Sequence, residues 1–242
     1  MKYIFRITLI CCAFFRADIL KAVDKKSESA VALSAVLGIL NNLMADNNAF
    51  SHTKSTKEFL ALNNNQTPRA TMVLCLDSRV YTNSFDATPK NDLFIIRNIG
   101  NQLETAEGSI EYGVDHLHTP LLIFIGHTNC GAIKAATGDY SALSSAIKHE
   151  LDSIKLSHDI PVTEGVVTNI HQQVARSAQK FENLIKQNKL VVVGEVYDFS
   201  NELGHGLGKL VLLNVNGEKN VSKIKGSAVL KGIENVNIGW KK

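Results

Sequence analysis

Two short stretches carry side chains that could do chemistry together. The first is Val73-Leu74-Cys75-Leu76-Asp77-Ser78-Arg79-Val80, and the second is Ile125-Gly126-His127-Thr128-Asn129-Cys130-Gly131-Ala132. Each follows an apolar run, so each reads as the tip of a buried strand running into a loop. Two thiols and an imidazole delivered to neighbouring strand tips suit a zinc ion. Zinc takes thiolate sulfur and imidazole nitrogen in tetrahedral geometry, and a site with three protein ligands leaves the fourth position to water. A Cys75–Cys130 disulfide is the competing reading. The short step from His127 to Cys130 is a metal-ligand spacing and favours the ion. Asp77 and Arg79 form a second pair. A guanidinium beside a carboxylate keeps it ionised and fixes its rotamer through two parallel hydrogen bonds. The plainer reading of that pair is a structural salt bridge in a loop.

Around these two stretches the chain alternates between two patterns. Apolar runs at Ala70–Leu76, Leu93–Arg97, Leu121–Ile125 and Leu190–Gly194 read as strands buried on both faces. Helical patterns fall at Leu103–Leu117, Gly131–Ala136, Ser141–Leu156 and Glu164–Gln187. The last of these carries Val166, Val167, Ile170, Val174, Phe181 and Leu184 towards the core. Alternation of this kind implies an α/β fold: a mostly parallel sheet of four strands with helices on both faces. Lys209–Val215 follows without an intervening helix, so it should be an antiparallel edge strand. Ahead of the sheet, Ala30–Phe50 reads as an amphipathic arm, with Leu33, Leu37, Leu40 and Met44 on one face. His52–Arg69 reads as a polar connector, and the tail after Asn216 has no legible role. Ligands of open parallel sheets bind beyond the carboxyl ends of the strands, and both chemical stretches fall there.

Cys-x-Asp-x-Arg and His-x-x-Cys, in that order, with Asp92-Leu93-Phe94-Ile95-Ile96-Arg97-Asn98-Ile99-Gly100-Asn101 between them, resemble the β-class carbonic anhydrases. The resemblance runs from about Leu33 to about Gly217. It implies reversible hydration of carbon dioxide to bicarbonate by zinc-bound hydroxide, with one zinc per subunit on Cys75, His127 and Cys130. It gives Asp77 the task of orienting the hydroxide and Arg79 that of holding Asp77. Two thiolates nearly neutralise the metal, so its water is acidified less than in an all-histidine site, where the pKa falls to about 7. Gln66 matches a glutamine that borders the active site in plant-type members and favours that subclass. Phe94 and Tyr112 match, by spacing, aromatic residues that line the family's carbon dioxide pocket; core packing is their plainer reading. In the family the pocket is built across a dimer interface and the N-terminal arm wraps the partner, so a homodimer or larger homo-oligomer is implied. Two other functions share these residues: hydrolysis of carbon disulfide or carbonyl sulfide, and a catalytically silent zinc-stabilised scaffold. The presence of both Asp77 and Arg79 weighs against the scaffold.

The totals bound the rest. The 242 residues are 45% apolar with 26 basic and 23 acidic side chains, enough for one full core. A net charge of +3 from scattered residues does not suggest nucleic-acid binding. Four cysteines, Cys11, Cys12, Cys75 and Cys130, are too few for a disulfide scaffold. Residues 1–22 read as a signal peptide. Lys2 and Arg6 supply its positive start, and Ile7 to Phe15 a mostly apolar run well short of the ~20 residues of a membrane span. Residues 23–242 then form a single catalytic domain, periplasmic or secreted, or cytoplasmic if the leader is retained.

Overall fold

The computed structural model describes residues 33–241, and the expected signal peptide lies outside them. The described chain divides into two compact units, ending and beginning at Asn65 and Gln66.

The first unit is helical. Helix α1 covers 33–52, close to the expected arm, and Leu33, Leu37, Leu40 and Met44 are all exposed on it. The expected polar connector contains a further helix, α2 (Thr56–Leu60), and a 3-10 turn over Ala61–Asn63. Ser55 starts α2 with a reciprocal cap. Its hydroxyl accepts from the Glu58 amide at 3.3 Å, and the Glu58 carboxylate accepts from the Ser55 amide at 2.8 Å.

The second unit is built on a six-stranded sheet of order β2-β1-β3-β4-β5-β6. Strands β1 (Ala70–Cys75), β2 (Leu93–Asn98), β3 (Leu121–His127) and β4 (Val191–Asp198) run parallel. β5 (Lys209–Val215) is antiparallel to β4, as expected, but it is not the edge: a two-residue β6 (Asn237–Ile238) from the tail pairs parallel with its outer side. Every residue of β1 is buried, because it has a strand on each side and cover on both faces. Register places Cys75 opposite Asn98 and His127 opposite Tyr197, while Leu74 lies opposite Ile125. The tips of β1 and β3 are therefore neighbours, and each carries a metal-type ligand.

One face of the sheet is covered by α3 (Glu107–Glu111), α4 (Gly131–Ala136), α5 (Ser145–Leu151) and α6 (Val162–Lys180), with α7 (Glu182–Lys186) continuing after a break. Val166, Ile170 and Val174 of α6 are buried against Val73, Phe124 and Val192 in the main core. Gly126 and Gly194 let α6 approach. A methyl group added at Gly194 would come within 2.6 Å of Ile170 and 2.7 Å of Val174. The opposite face is covered in part by α8 (Val221–Lys225), through Ile224, and by Val80 and Phe85.

Three expected helices are shorter or more divided than their periodicity suggests. The segment from Leu103 to Leu117 splits into a 3-10 turn, α3 and a π-helical turn over Tyr112–His116. Gly113 lies in that π turn, where a methyl group would meet Thr71 Cγ2 at 3.0 Å and the Phe94 ring at 2.9 Å. The long C-terminal helix breaks at Phe181 (φ −103°, ψ 25°), which is buried in the core. The region expected helical over Ser141–Leu156 forms only α5, started by the Ser144 hydroxyl. Among the described residues no helix is long and apolar enough to cross a membrane.

Candidate active site

Cys75, His127 and Cys130 meet at one point. Their ligand atoms all lie within 4.8 Å of one another, and all three residues are buried. The two sulfurs are 3.9 Å apart and unbonded, which disposes of the disulfide alternative. That separation matches the edge of a tetrahedron with metal–sulfur bonds of about 2.3 Å. The imidazole is already oriented. Nδ1 lies 2.9 Å from the Thr128 carbonyl, which can only accept, so Nδ1 carries the proton and Nε2 the lone pair. His127 is wholly buried, yet Nε2 has no hydrogen-bond partner. A buried acceptor left unpaired beside two sulfurs is what a zinc ligand looks like before its ion is counted.

Electrostatics points the same way. Cys75 is drawn down to about 4, chiefly by its hydrogen bond with the Cys130 thiol, against the opposing effect of burial and with help from the backbone N–H groups of Asp77 and Gly100. Cys130 is pushed up by its pairing with Cys75 and by burial. A divalent ion is the species that allows both to be thiolates.

Asp77 stands next to this cluster, with Oδ2 3.8 Å from His127 Nε2. Arg79 holds both carboxylate oxygens, donating from Nε to Oδ1 at 2.9 Å and from Nη2 to Oδ2 at 2.6 Å. These bonds keep the Asp77 carboxyl well below the usual carboxylate range. The guanidinium is fixed in turn. Nη2 donates to the Asn129 carbonyl at 3.2 Å, and its carbon sits 4.9 Å from the Phe199 ring centroid. The Asp77–Arg79 pair is thus tied to the His127–Cys130 segment and is not an isolated loop salt bridge.

Beside Cys75 and Asp77 opens a cavity of about 360 Å³ whose walls are mainly apolar: Leu76, Ile99, Ala132, Ala135, Leu143 and Ile147. The residues expected to form the substrate wall are elsewhere in the same chain. Phe94 lies opposite Thr71 in the register, four residues before Asn98, hence about 13 Å back along the strand from the Cys75 level. It packs with Tyr112 at 5.8 Å between ring centroids, and Tyr112 lies 4.5 Å from His116. Gln66 is exposed ahead of β1. One chain therefore brings together Cys75, Asp77, Arg79, His127 and Cys130 but not Gln66, Phe94 and Tyr112.

Two contributors escaped the sequence reading. Arg97, at the tip of β2, clamps the whole Cys75–Val80 loop. It donates to the carbonyls of Cys75 at 2.9 and 3.1 Å, Asp77 at 2.8 Å and Val80 at 2.7 Å. An arginine closing an otherwise apolar strand was the available signal. Phe199 has no such signal, because its position follows β4 by a turn that only the fold brings over His127.

The geometry now has counterparts among known proteins. The carbonic anhydrase family model matches residues 70–205, more than half of the chain. The chain belongs to the carbonic anhydrase family. It is 40% identical over 72 residues to carbonic anhydrase 2 of Mycobacterium tuberculosis, covering 29% of this chain and 35% of that protein. The match thus spans about a third of the length of that relative. Its fold is that of solved β-carbonic anhydrases. It is similar to CafA of Aspergillus fumigatus, with a TM-score of 0.61 and 22% identity over 81% of this chain and 99% of that one. It is likewise similar to a tetrameric β-carbonic anhydrase of Sordaria macrospora, with a TM-score of 0.59 and 21% identity over 73% and 98% of the two chains.

Proposed function

We propose that this protein is a zinc-dependent carbonic anhydrase that interconverts carbon dioxide and bicarbonate. The reading rests on one observation above others: an unpaired buried imidazole nitrogen and two free sulfurs converge beside a carboxylate locked by an arginine. Cys75, His127 and Cys130 would hold the zinc, which would supply the Lewis acidity that makes a nucleophile of water at moderate pH. Asp77, kept ionised by Arg79, would accept a hydrogen bond from that nucleophile and aim it at a molecule held in the cavity. The apolar walls formed by Leu76, Ile99 and Ala132 admit a linear nonpolar molecule and limit competing water. Bicarbonate, being charged, has no counter-ion on those walls and leaves.

The substrate wall is completed by a second copy of the chain. Gln66, Phe94 and Tyr112 of one subunit border the cavity of the other, which makes a homodimer the smallest active unit and favours the plant-type subclass. Support comes from Tyr112, which is 44% exposed beside Phe94, and from the exposed apolar stripe of α1. Removal of residues 1–22 during export gives a periplasmic or secreted enzyme, a point that N-terminal sequencing of the purified protein decides.

The test of function is stopped-flow carbon dioxide hydration, run beside an assay of sulfide release from carbon disulfide. Hydration that exceeds sulfide release supports the proposal. Sulfide release alone makes the chain a carbon disulfide hydrolase, and neither activity in zinc-loaded protein makes it a scaffold.

A further inference from the structure

Three buried amide side chains form a closed ring behind the metal ligands. Gln102 and Gln173 are fully buried and Asn169 is 1% exposed. Gln173 Nε2 donates to Gln102 Oε1 at 2.8 Å and to Asn169 Oδ1 at 3.0 Å. Gln102 Nε2 donates to Asn169 Oδ1 at 2.8 Å and to the Gly100 carbonyl at 2.6 Å. Asn169 Nδ2 donates to the same Gly100 carbonyl at 3.0 Å. The ring is anchored at its back by the Leu103 amide, which donates to Gln173 Oε1 at 2.9 Å. Two of its members, Asn169 and Gln173, come from α6, one helical turn apart. Three polar side chains are costly to bury, and a network this fully paired rigidifies what it touches.

What it touches is Gly100. That residue sits at φ +74°, and a methyl group there would come within 2.8 Å of Ile154, so the position is both left-handed and crowded. Its carbonyl takes both ring donors. Its loop is set against Cys75: Asn98, opposite Cys75 in the register, accepts from the Leu76 amide at 3.0 Å, and the Asn98 side chain holds the Gln102 backbone, which leaves the Gly100 N–H near enough to favour the Cys75 thiolate. Hydrogen bonds to a ligating sulfur orient it and tune its donation to the metal. The other face of Cys75 is held by Arg97 through the carbonyl. Cys75 is thus linked to α6 across the loop after β2, without passing through its own strand.

We infer that the Gln102–Asn169–Gln173 amide ring is a positioning device for the Cys75 ligand, fixing the Gly100 amide beside Sγ and so setting the grip of the site on zinc. Asn169 is the positioning residue of greatest weight, because it alone joins α6 directly to the Gly100 carbonyl. The inference rests on the zinc reading above. In the full-length protein, Asn169→Leu, close to the same shape, removes the Gly100 bond and the acceptor shared by both glutamines. Zinc affinity measured by chelator competition should fall by about 10- to 100-fold. The thiolate-to-metal absorption of the cobalt-substituted protein should shift as well. Gln173→Met, which leaves both Gly100 bonds in place, should fold and lose less affinity. Asn214→Ala removes another buried amide, which bonds Gly217 and meets α6 at His171 but makes no bond to the ring. It should lower thermal stability and leave zinc affinity and spectrum alone.

Unchanged affinity and spectrum in Asn169→Leu would overturn the inference, as would an equal loss of affinity in Asn214→Ala. If Asn169→Leu does not fold, Gln102→Met, which removes the other Gly100 bond, decides: unchanged affinity and spectrum in that variant overturn it. Wild-type protein that binds no zinc defeats the zinc reading instead, and is told apart by that first measurement.

Discussion

The ring of Phe199 lies 5.7 Å from that of His127, tilted by 30°. Phe199 also carries the Arg79 guanidinium, 4.9 Å from the ring centroid. One aromatic side chain therefore contacts both the imidazole of the candidate metal cluster and the arginine that holds Asp77. A cation over an aromatic face is worth about 0.5–1 kcal/mol at a site with solvent access. Phe199→Ala should accordingly keep its zinc and lose about 2- to 5-fold in turnover as Arg79 gains freedom. Steady-state hydration with metal content in parallel checks this; a variant with full turnover would leave Phe199 only a packing role.

Asp77 is predicted to act on the chemical step and not on the metal. Asp77→Asn keeps the shape and the Arg79 contact at one oxygen but cannot carry charge. Zinc content should be unchanged while turnover falls by about 100-fold or more. Turnover equal to that of the wild type would return Asp77 and Arg79 to the role of a loop salt bridge.

Glu195 gives a pH dependence of stability with a defined sign. It lies on β4, in a cavity lined by Met72, Phe85, Ile123 and Leu210. Burial raises its carboxyl from 4.5 to about 7. The folded chain then holds a proton that the unfolded chain has released. That contribution is fully present below pH 4.5 and is lost as pH rises through 7. Glu195→Gln has nothing to lose, so it should exceed the wild type in stability at pH 8 by about 1–3 kcal/mol and match it near pH 4. Urea unfolding at the two pH values measures this. An equal difference at both would place the effect in packing and not in the proton.

The seating of α6 is predicted to depend on Gly194. A methyl group there meets Ile170 and Val174, both wholly buried. Gly194→Ala should cost about 1–3 kcal/mol by overpacking, read as a lower urea midpoint with an unchanged slope. An unchanged midpoint would mean that the helix can slide without cost.

Much of this was legible before folding, and the exceptions share a cause. The four parallel strands were visible as continuous apolar runs because they are buried on both faces. β4 was cut short at Gly194, because Glu195 interrupts its pattern where the strand passes the cavity. Helix α2 carried a legible sign, Ser55 followed by Glu58, that the surrounding polar residues concealed. The break of the Leu103–Leu117 segment had none: the π turn at Tyr112–His116 is set by Gly113 meeting Thr71 and Phe94, a tertiary contact. Tail residues Asn237 to Lys241 likewise find their place only through partners far off in sequence, with Trp240 Nε1 donating to the Glu202 carbonyl at 2.9 Å. At the site, the ligands and the Asp77–Arg79 pair follow from spacing. Arg97, Phe199 and the amide ring do not, because what they hold is defined only when β1, β2, β3 and α6 are assembled.

The most direct test of the account is the zinc content of freshly purified protein, wild type against Cys75→Ser, with carbon dioxide hydration measured on the same samples. The account predicts one zinc per chain and hydration in the wild type, with both largely lost in the variant. A metal-free wild type that hydrates carbon dioxide, or a Cys75→Ser protein that retains both zinc and activity, would contradict it.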